Sequence, residues 1–187
     1  MSIMSRCSKL AGTIPVLVLH SLIPCEKGGF VSVRDFLAAK PPRDAADQRC
    51  LVVTDGFYEW KKLDAKGKLK RPHAIAMAGD TQMVMAGLWA KWKSPASGEE
   101  VLSCTILTCE PNNAMGELHD RMPVILAEND WPRWLGEEPA SEQDLLALLR
   151  PCPDEALKIW PVDKMVGNVR NNGPQLILPV LSNALTA

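Results

Sequence analysis

No apolar run in this sequence is long enough to cross a bilayer. The longest, residues 14–23, contains Pro15 and His20, whereas a spanning helix needs roughly 20 apolar residues. Arg6 and Lys9 stand ahead of it, but no small-residue cleavage site follows, so export is not expected. Histidine is scarce at 3, and the 6 cysteines (Cys7, Cys25, Cys50, Cys104, Cys109, Cys152) contain no CxxC pair. This excludes a disulfide scaffold and gives no basis for a Cys/His metal site. Reduced thiols in a cytoplasmic protein is the resulting expectation. Charge of one sign is also missing. Lys plus Arg is 21 and Asp plus Glu is 22, for a net charge of −1, which excludes a basic field over the whole molecule but not a local basic groove. Repeats and low-complexity linkers are absent.

What remains is an ordinary globular chain. Its 187 residues, 47% hydrophobic and 23% charged, suit one domain with a sizeable core. Residues 1–30 form an indistinct segment with a turn signal at Gly28-Gly29, expected to diverge from the domain that follows over 31–187. A short helix is expected around 33–39, stopped by Pro41-Pro42. From Cys50 the strand signals sharpen. The β-branched run 50–54 continues through 56–60 after a bulge or turn at Asp55-Gly56, and further strands are expected at 74–78, 82–89, 101–108, 122–126 and 158–162. Helices are expected at 131–135 and at 141–150, the second with Ser141 as N-cap. Residues 61–71 hold six basic residues against Asp64 and read as an exposed hairpin loop. Six acids against Arg133 make 128–144 a solvated acidic face. Strands without regular βαβ alternation predict an α+β fold with a largely antiparallel or mixed sheet, or a partly open barrel, with a few flanking helices.

Two residues stand out chemically. Glu59 lies between Tyr58 and Trp60, and strand alternation puts it on the Phe57 side. A carboxylate flanked by aromatics loses water, which favours its protonated form and suits acid/base work. Most strand glutamates face water, and the pattern alone favours that simpler reading. His119 falls where a polar stretch, 110–117, enters the apolar segment 122–126. It is either a proton-exchanging site residue or a structural one. Arg121 offers a planar fork suited to phosphate, and Asp120 either orients a neighbour or is a turn residue. The 61–71 loop is a solvated tip or a phosphate contact. Cys104 and Cys109 read as small core residues beside Thr105 and Thr108, and the tryptophans read as core.

Together these motifs resemble a known family. Cys50-Leu-Val-Val-Thr-Asp-Gly-Phe-Tyr-Glu-Trp60, Met85-Ala-Gly-Leu-Trp89, Thr105-Ile-Leu-Thr108 with His119-Asp-Arg-Met-Pro-Val-Ile-Leu126, and Val166-Gly-Asn-Val-Arg-Asn-Asn-Gly-Pro174 stand in the order found in SOS-response-associated peptidases (SRAP domains). The resemblance covers about residues 40–180. It implies a DNA-damage-response protein that binds single-stranded DNA and reacts with the aldehyde of abasic sites. The family's nucleophile is a cysteine after the initiator Met, whose amine and thiol close a thiazolidine to give a DNA–protein cross-link. Self-processing peptidase activity is implied as well. On this resemblance Glu59 and His119 are the catalytic residues, and Thr108, Arg121, Arg34 and Ser32 hold DNA. Neither metal nor cofactor is expected, and the protein is expected to be monomeric, cytoplasmic and associated with the nucleoid.

The sequence departs from the family at its start. It opens Met1-Ser2 where Met-Cys-Gly-Arg is usual, Cys7 lies inside Arg6-Cys7-Ser8, and Ser32 replaces an asparagine. The expectation is therefore abasic-site recognition with impaired cross-linking, in a truncated or divergent member. Two rivals stand beside it: a non-catalytic single-stranded-DNA module or decayed paralogue, and a cysteine hydrolase pairing an internal cysteine with His119.

Overall fold

The computed structural model describes residues 48–93 and 98–180, together with the backbone of three short strands before them. These are β1 (Ser2–Met4), β2 (Leu22–Pro24) and β3 (Phe30–Ser32). Then follow β4 (Arg49–Thr54), β5 (Gly56–Lys62), β6 (Lys70–Met77), β7 (Met83–Lys93), β8 (Glu100–Ile106), β9 (Thr108–Cys109), β10 (Met122–Pro123) and β11 (Leu157–Pro161). Three short helices, α1 (Asn113–Gly116), α2 (Trp131–Leu135) and α3 (Glu142–Leu148), lie among them. The helix expected at 33–39 lies outside the described residues.

All recorded strand pairings are antiparallel. One sheet has the order β1-β5-β6-β11, a second β4-β7-β8, and β9-β10 and β2-β3 form two ribbons. The fold is α+β, and among the described residues no barrel closes. Asp55-Gly56 is neither a bulge nor a hairpin turn, because β4 and β5 do not pair and the chain changes sheets there. Only glycine fits at 56, since a Cβ would stand 2.3 Å from the carbonyl oxygen of Ile75.

The layers follow from alternation along the strands. Phe57 and Ile75 of the first sheet meet Met83, Met85 and Ile106 of the second, with Met115, Met122, Ile125 and Leu157 closing this central core. On the outer face of the second sheet, Ala86 and Leu88 pack with Leu107, Val124, Leu126, Trp134, Leu145 and Leu148. That is how α2 and α3 are held. Trp134 is fully buried and donates its indole N–H to the Cys50 carbonyl at 3.1 Å, while the Arg49 guanidinium lies 5.9 Å from its ring centre. Ser141 caps α3 in a reciprocal capping box with Asp144. The outer face of the first sheet, with Tyr58, Ala74 and Val162, is covered by Trp60, Trp160, Val166 and Ile177.

Three expected elements are revised. Residues 122–126 are a two-residue strand followed by a mesh, in which Val124 N–H donates to Leu107 O and Leu126 N–H to Val84 O, both at 2.9 Å. The 101–108 strand is broken at Leu107, whose N–H turns to Ala86 O. The basic stretch 61–71 is not all loop: Lys61 pairs with Arg71 and Lys62 with Lys70, leaving 63–69 as the turn. Among the described residues no helix is long and apolar enough to cross a membrane.

Candidate functional site

Glu59 sits in the middle of β5, opposite β6 and one residue past the stretch that β1 pairs. It is only 7% exposed, so the solvent-facing reading of this residue is wrong. Its Oε1 accepts the N–H of Trp60 at 3.1 Å. Its neighbour on the same face, Phe57, belongs to the central core, and β1 pairs the strand as far as Tyr58. β1 is registered Ser2 opposite Tyr58 and Ile3 opposite Phe57, which brings the start of the chain alongside this carboxylate-bearing strand.

The segment 115–122 runs over the Glu59 face of β5. Met115 and Met122 pack with Phe57, and Leu118 packs on the same cluster. Two residues beyond Glu59 on that face, Lys61 Nζ meets Glu117 Oε2 at 2.8 Å. Contacts before and after Glu59 thus place the loop that carries His119 on its side of the sheet.

That loop is pinned from behind. Asn112 Oδ1 accepts the Met115 N–H at 2.9 Å, its Nδ2 donates to Cys152 O at 3.0 Å, and Asp154 Oδ1 accepts the Ala114 N–H at 3.0 Å. The backbone N–H of Ala114 and the side chain of Asn113 hold the Asp154 carboxyl below the usual carboxylate range. The polar stretch 110–117 therefore contains a helical turn where a plain loop was expected.

His119 is 35% exposed at its side chain, and its Nδ1 stands 2.9 Å from Asp120 Oδ1 and 3.1 Å from the backbone N of Arg121. One ring nitrogen cannot serve both at once. As an unprotonated nitrogen it accepts from Arg121, leaving the ring proton on Nε2; carrying a proton, it donates to Asp120.

Arg121 and Thr108 are bonded to each other. Arg121 Nε and Nη2 donate to Thr108 Oγ1 at 3.0 and 2.8 Å, and Nη2 also reaches Thr108 O at 3.3 Å. The β9-β10 ribbon sets this pair, with Thr108 opposite Pro123. Arg121 Nη1 has no partner among the described residues and keeps two N–H groups for an anion. Of the other expected DNA-binding residues, Ser32 is described only by its backbone, opposite Leu22 at the end of β3, and Arg34 lies outside the described residues.

His73 was not expected. It stands directly opposite Glu59 on β6, with Nδ1 3.1 Å from Arg71 O, and burial is the main cause that lowers its pKa, with Lys61 and Arg71 adding to the effect. The hairpin centred near Lys66 was the signal, since folding it back pairs 59 with 73. Burial pushes Cys50 up to about 12 and Cys109 and Cys152 up to about 11. Among the described residues no group of three or more His, Cys, Asp or Glu could hold a metal.

A cavity of about 450 Å³ lies elsewhere, on the outer face of the first sheet. Trp160, Ile177 and Pro179 wall it beside the Lys158–Asp80 ion pair. None of Glu59, His119 or Arg121 lines it, so the acid/base groups and this cavity are separate features.

The fold is an antiparallel α+β arrangement with a buried carboxylate at Glu59 and, in the loop after α1, a His119 side chain and an Arg121 fork bonded to Thr108. Residues 40–169 match the family model described as SOS response associated peptidase (SRAP), and the chain belongs to that family. It is similar to the abasic site processing protein YoqW of Bacillus subtilis (strain 168), 35% identical over 157 residues, covering 81% of this chain and 69% of YoqW. It is also similar to the abasic site processing protein HMCES of Xenopus tropicalis, 32% identical over 152 residues, covering 72% of this chain and 44% of HMCES. A crystal structure of a Bacteroides thetaiotaomicron protein superposes with a TM-score of 0.68 at 25% identity, over 79% of this chain and 64% of that one. A Bordetella bronchiseptica protein gives 0.54 at 28% identity, over 65% and 58%. The chain thus spans about two thirds of its bacterial relatives and under half of HMCES.

Proposed function

We propose that this chain recognises abasic sites in single-stranded DNA, with Glu59 and His119 as acid/base groups and Arg121 holding the strand's backbone. The observation that carries the reading is the burial of Glu59 on the face of β5 over which the His119–Arg121 segment runs. The naming of its relatives as abasic site processing proteins supports the choice of lesion.

The chemistry suits these groups. An abasic sugar opens to an aldehyde, and a protein amine adds to its carbon to form a carbinolamine. The amine must lose a proton, and the carbinol oxygen must gain one to leave as water, giving an imine. A carboxyl shielded from water and an imidazole are the residue types that can pass those protons. A durable product needs a thiolate that closes a ring on the imine carbon. The thiols of Cys50, Cys109 and Cys152 stay protonated at neutral pH and supply none. The same fact weighs against a cysteine hydrolase. Our reading is recognition with reversible imine formation, and the Cys7→Ala arm of the test below asks whether a thiol outside the described residues closes the ring.

The test uses abasic and undamaged single strands of one sequence. Tighter binding of the abasic strand is expected, with an adduct trapped by borohydride and lost in Glu59→Gln. Equal affinity for both strands would leave a non-catalytic single-stranded-DNA module. A heat-stable adduct formed without borohydride and abolished by Cys7→Ala would show that a thiol does reach the lesion.

A further inference from the structure

The hairpin that carries Glu59 continues past it as a dense array of cations. Lys61 stands opposite Arg71 and Lys62 opposite Lys70, with Lys66 and Lys68 in the turn between. Like charges directly opposite each other in an antiparallel pair are destabilising. The first pair has a counter-charge in Glu117. The second points to the other face, and among the described residues neither Lys62 nor Lys70 has an ion-pair partner. The same holds for Lys66 and Lys68. Asp64, the one acid in the stretch, is taken up by the turn itself, its Oδ1 accepting the Leu69 N–H at 3.1 Å. The turn is well defined, with Leu63 N–H on Leu69 O at 2.8 Å and Gly67 at φ +63°. A strand rise of about 3.3 Å per residue puts Lys62 roughly 10 Å along the strand from Glu59, with its side chain on the opposite face.

We infer that this hairpin tip, formed by Lys62, Lys66, Lys68 and Lys70, is a phosphate-binding arm that grips the DNA strand beside the nucleotide held at Glu59. The inference rests on the proposed reading of the chain as a DNA-lesion binder. Two observations carry it: among the described residues the like-charge pair has no ion-pair partner, and the arm is continuous with the strand that bears the site carboxylate. The fold tolerates repulsion there, and a bound polyanion relieves it.

The experiment measures binding of abasic and undamaged single-stranded DNA by fluorescence anisotropy across a salt series, with thermal unfolding alongside. Changing all four lysines to Gln should weaken binding more than ten-fold at 0.1 M salt. It should also flatten the log Kd against log salt slope by about 0.7 per lysine, about 3 in all, equally for both strands. Lys70→Glu places opposite charges across the pair, so it should raise the melting temperature by about 1–3 °C while weakening DNA binding. Those opposite signs separate a functional arm from a structural one. An unchanged slope in the four-lysine variant overturns the inference, as does a lowered melting temperature in Lys70→Glu. So does a four-lysine variant that keeps DNA but loses poly-glutamate, because the arm would then serve an acidic protein. If the slope falls while the wild-type chain shows no preference for abasic DNA, the arm stands and the lesion reading fails.

Discussion

Replacing Thr108 by Val tests whether the Arg121 fork is held in place before DNA arrives. The substitution keeps the side-chain shape and removes one oxygen. That oxygen accepts two guanidinium N–H groups, at 3.0 and 2.8 Å, in a partly buried setting. Hydrogen bonds to a charged group contribute about 1.5–3 kcal/mol when fully formed. Water can replace part of this, and the contact from Nη2 to Thr108 O at 3.3 Å survives, so a loss of about 1–2 kcal/mol is expected. For a chain of this size that is a fall in melting temperature of roughly 3–6 °C. A released arginine must also be ordered again on binding, at about 0.5–1.5 kcal/mol, which weakens abasic-strand affinity about two- to ten-fold. Calorimetry and anisotropy on Thr108→Val and Thr108→Ser measure both effects. Serine keeps the oxygen and should keep both properties. If the valine variant melts and binds like the wild type, or serine is as damaging as valine, then Thr108 does not hold the fork.

Three further outcomes follow from the same geometry. Glu59→Gln retains an acceptor for the Trp60 N–H, so it should melt within about 2 °C of wild type while slowing trapped-imine formation about 10²–10⁴-fold; parallel losses of stability and rate would make Glu59 merely structural. Thiol labelling at pH 8 should be about 100-fold slower at Cys109 and Cys152 than at an unhindered cysteine, because burial moves them from 9.0 to about 11, and mass mapping of the labelled peptides reads this directly. His73 binds its proton less readily folded than unfolded, so its contribution to stability is complete above about pH 6.5 and is lost as the pH falls through its lower folded value. Urea unfolding between pH 7 and 5 should therefore show a stability loss that is smaller in His73→Phe.

Local patterns were readable wherever their cause was local. The start of α3 was legible because Ser141 and Asp144 satisfy each other within one turn, and 131–135 was legible because Pro132 and Gly136 bracket it. Alternation correctly set Glu59 beside Phe57, but it could not say that this face was covered as well as the Tyr58 face. That depends on Met115 and Met122, more than fifty residues away, lying across it. The same limit applies at Asp55-Gly56. A turn signal looks alike whether the next strand folds back on the last or leaves for another sheet. What decides is the close packing of β5 on β6, where a Cβ at position 56 would stand 2.3 Å from the Ile75 carbonyl oxygen. His73 shows the intermediate case. Its position opposite Glu59 follows from hairpin symmetry about the basic turn, so it was in principle readable, yet no single residue type announced it. The acid/base assignment thus rests on pairings between distant segments. Those pairings depend on apolar packing, so core substitutions such as Met115→Ala should disturb the His119 loop before they disturb β5, which β6 pairs over 57–62 and β1 over 56–58.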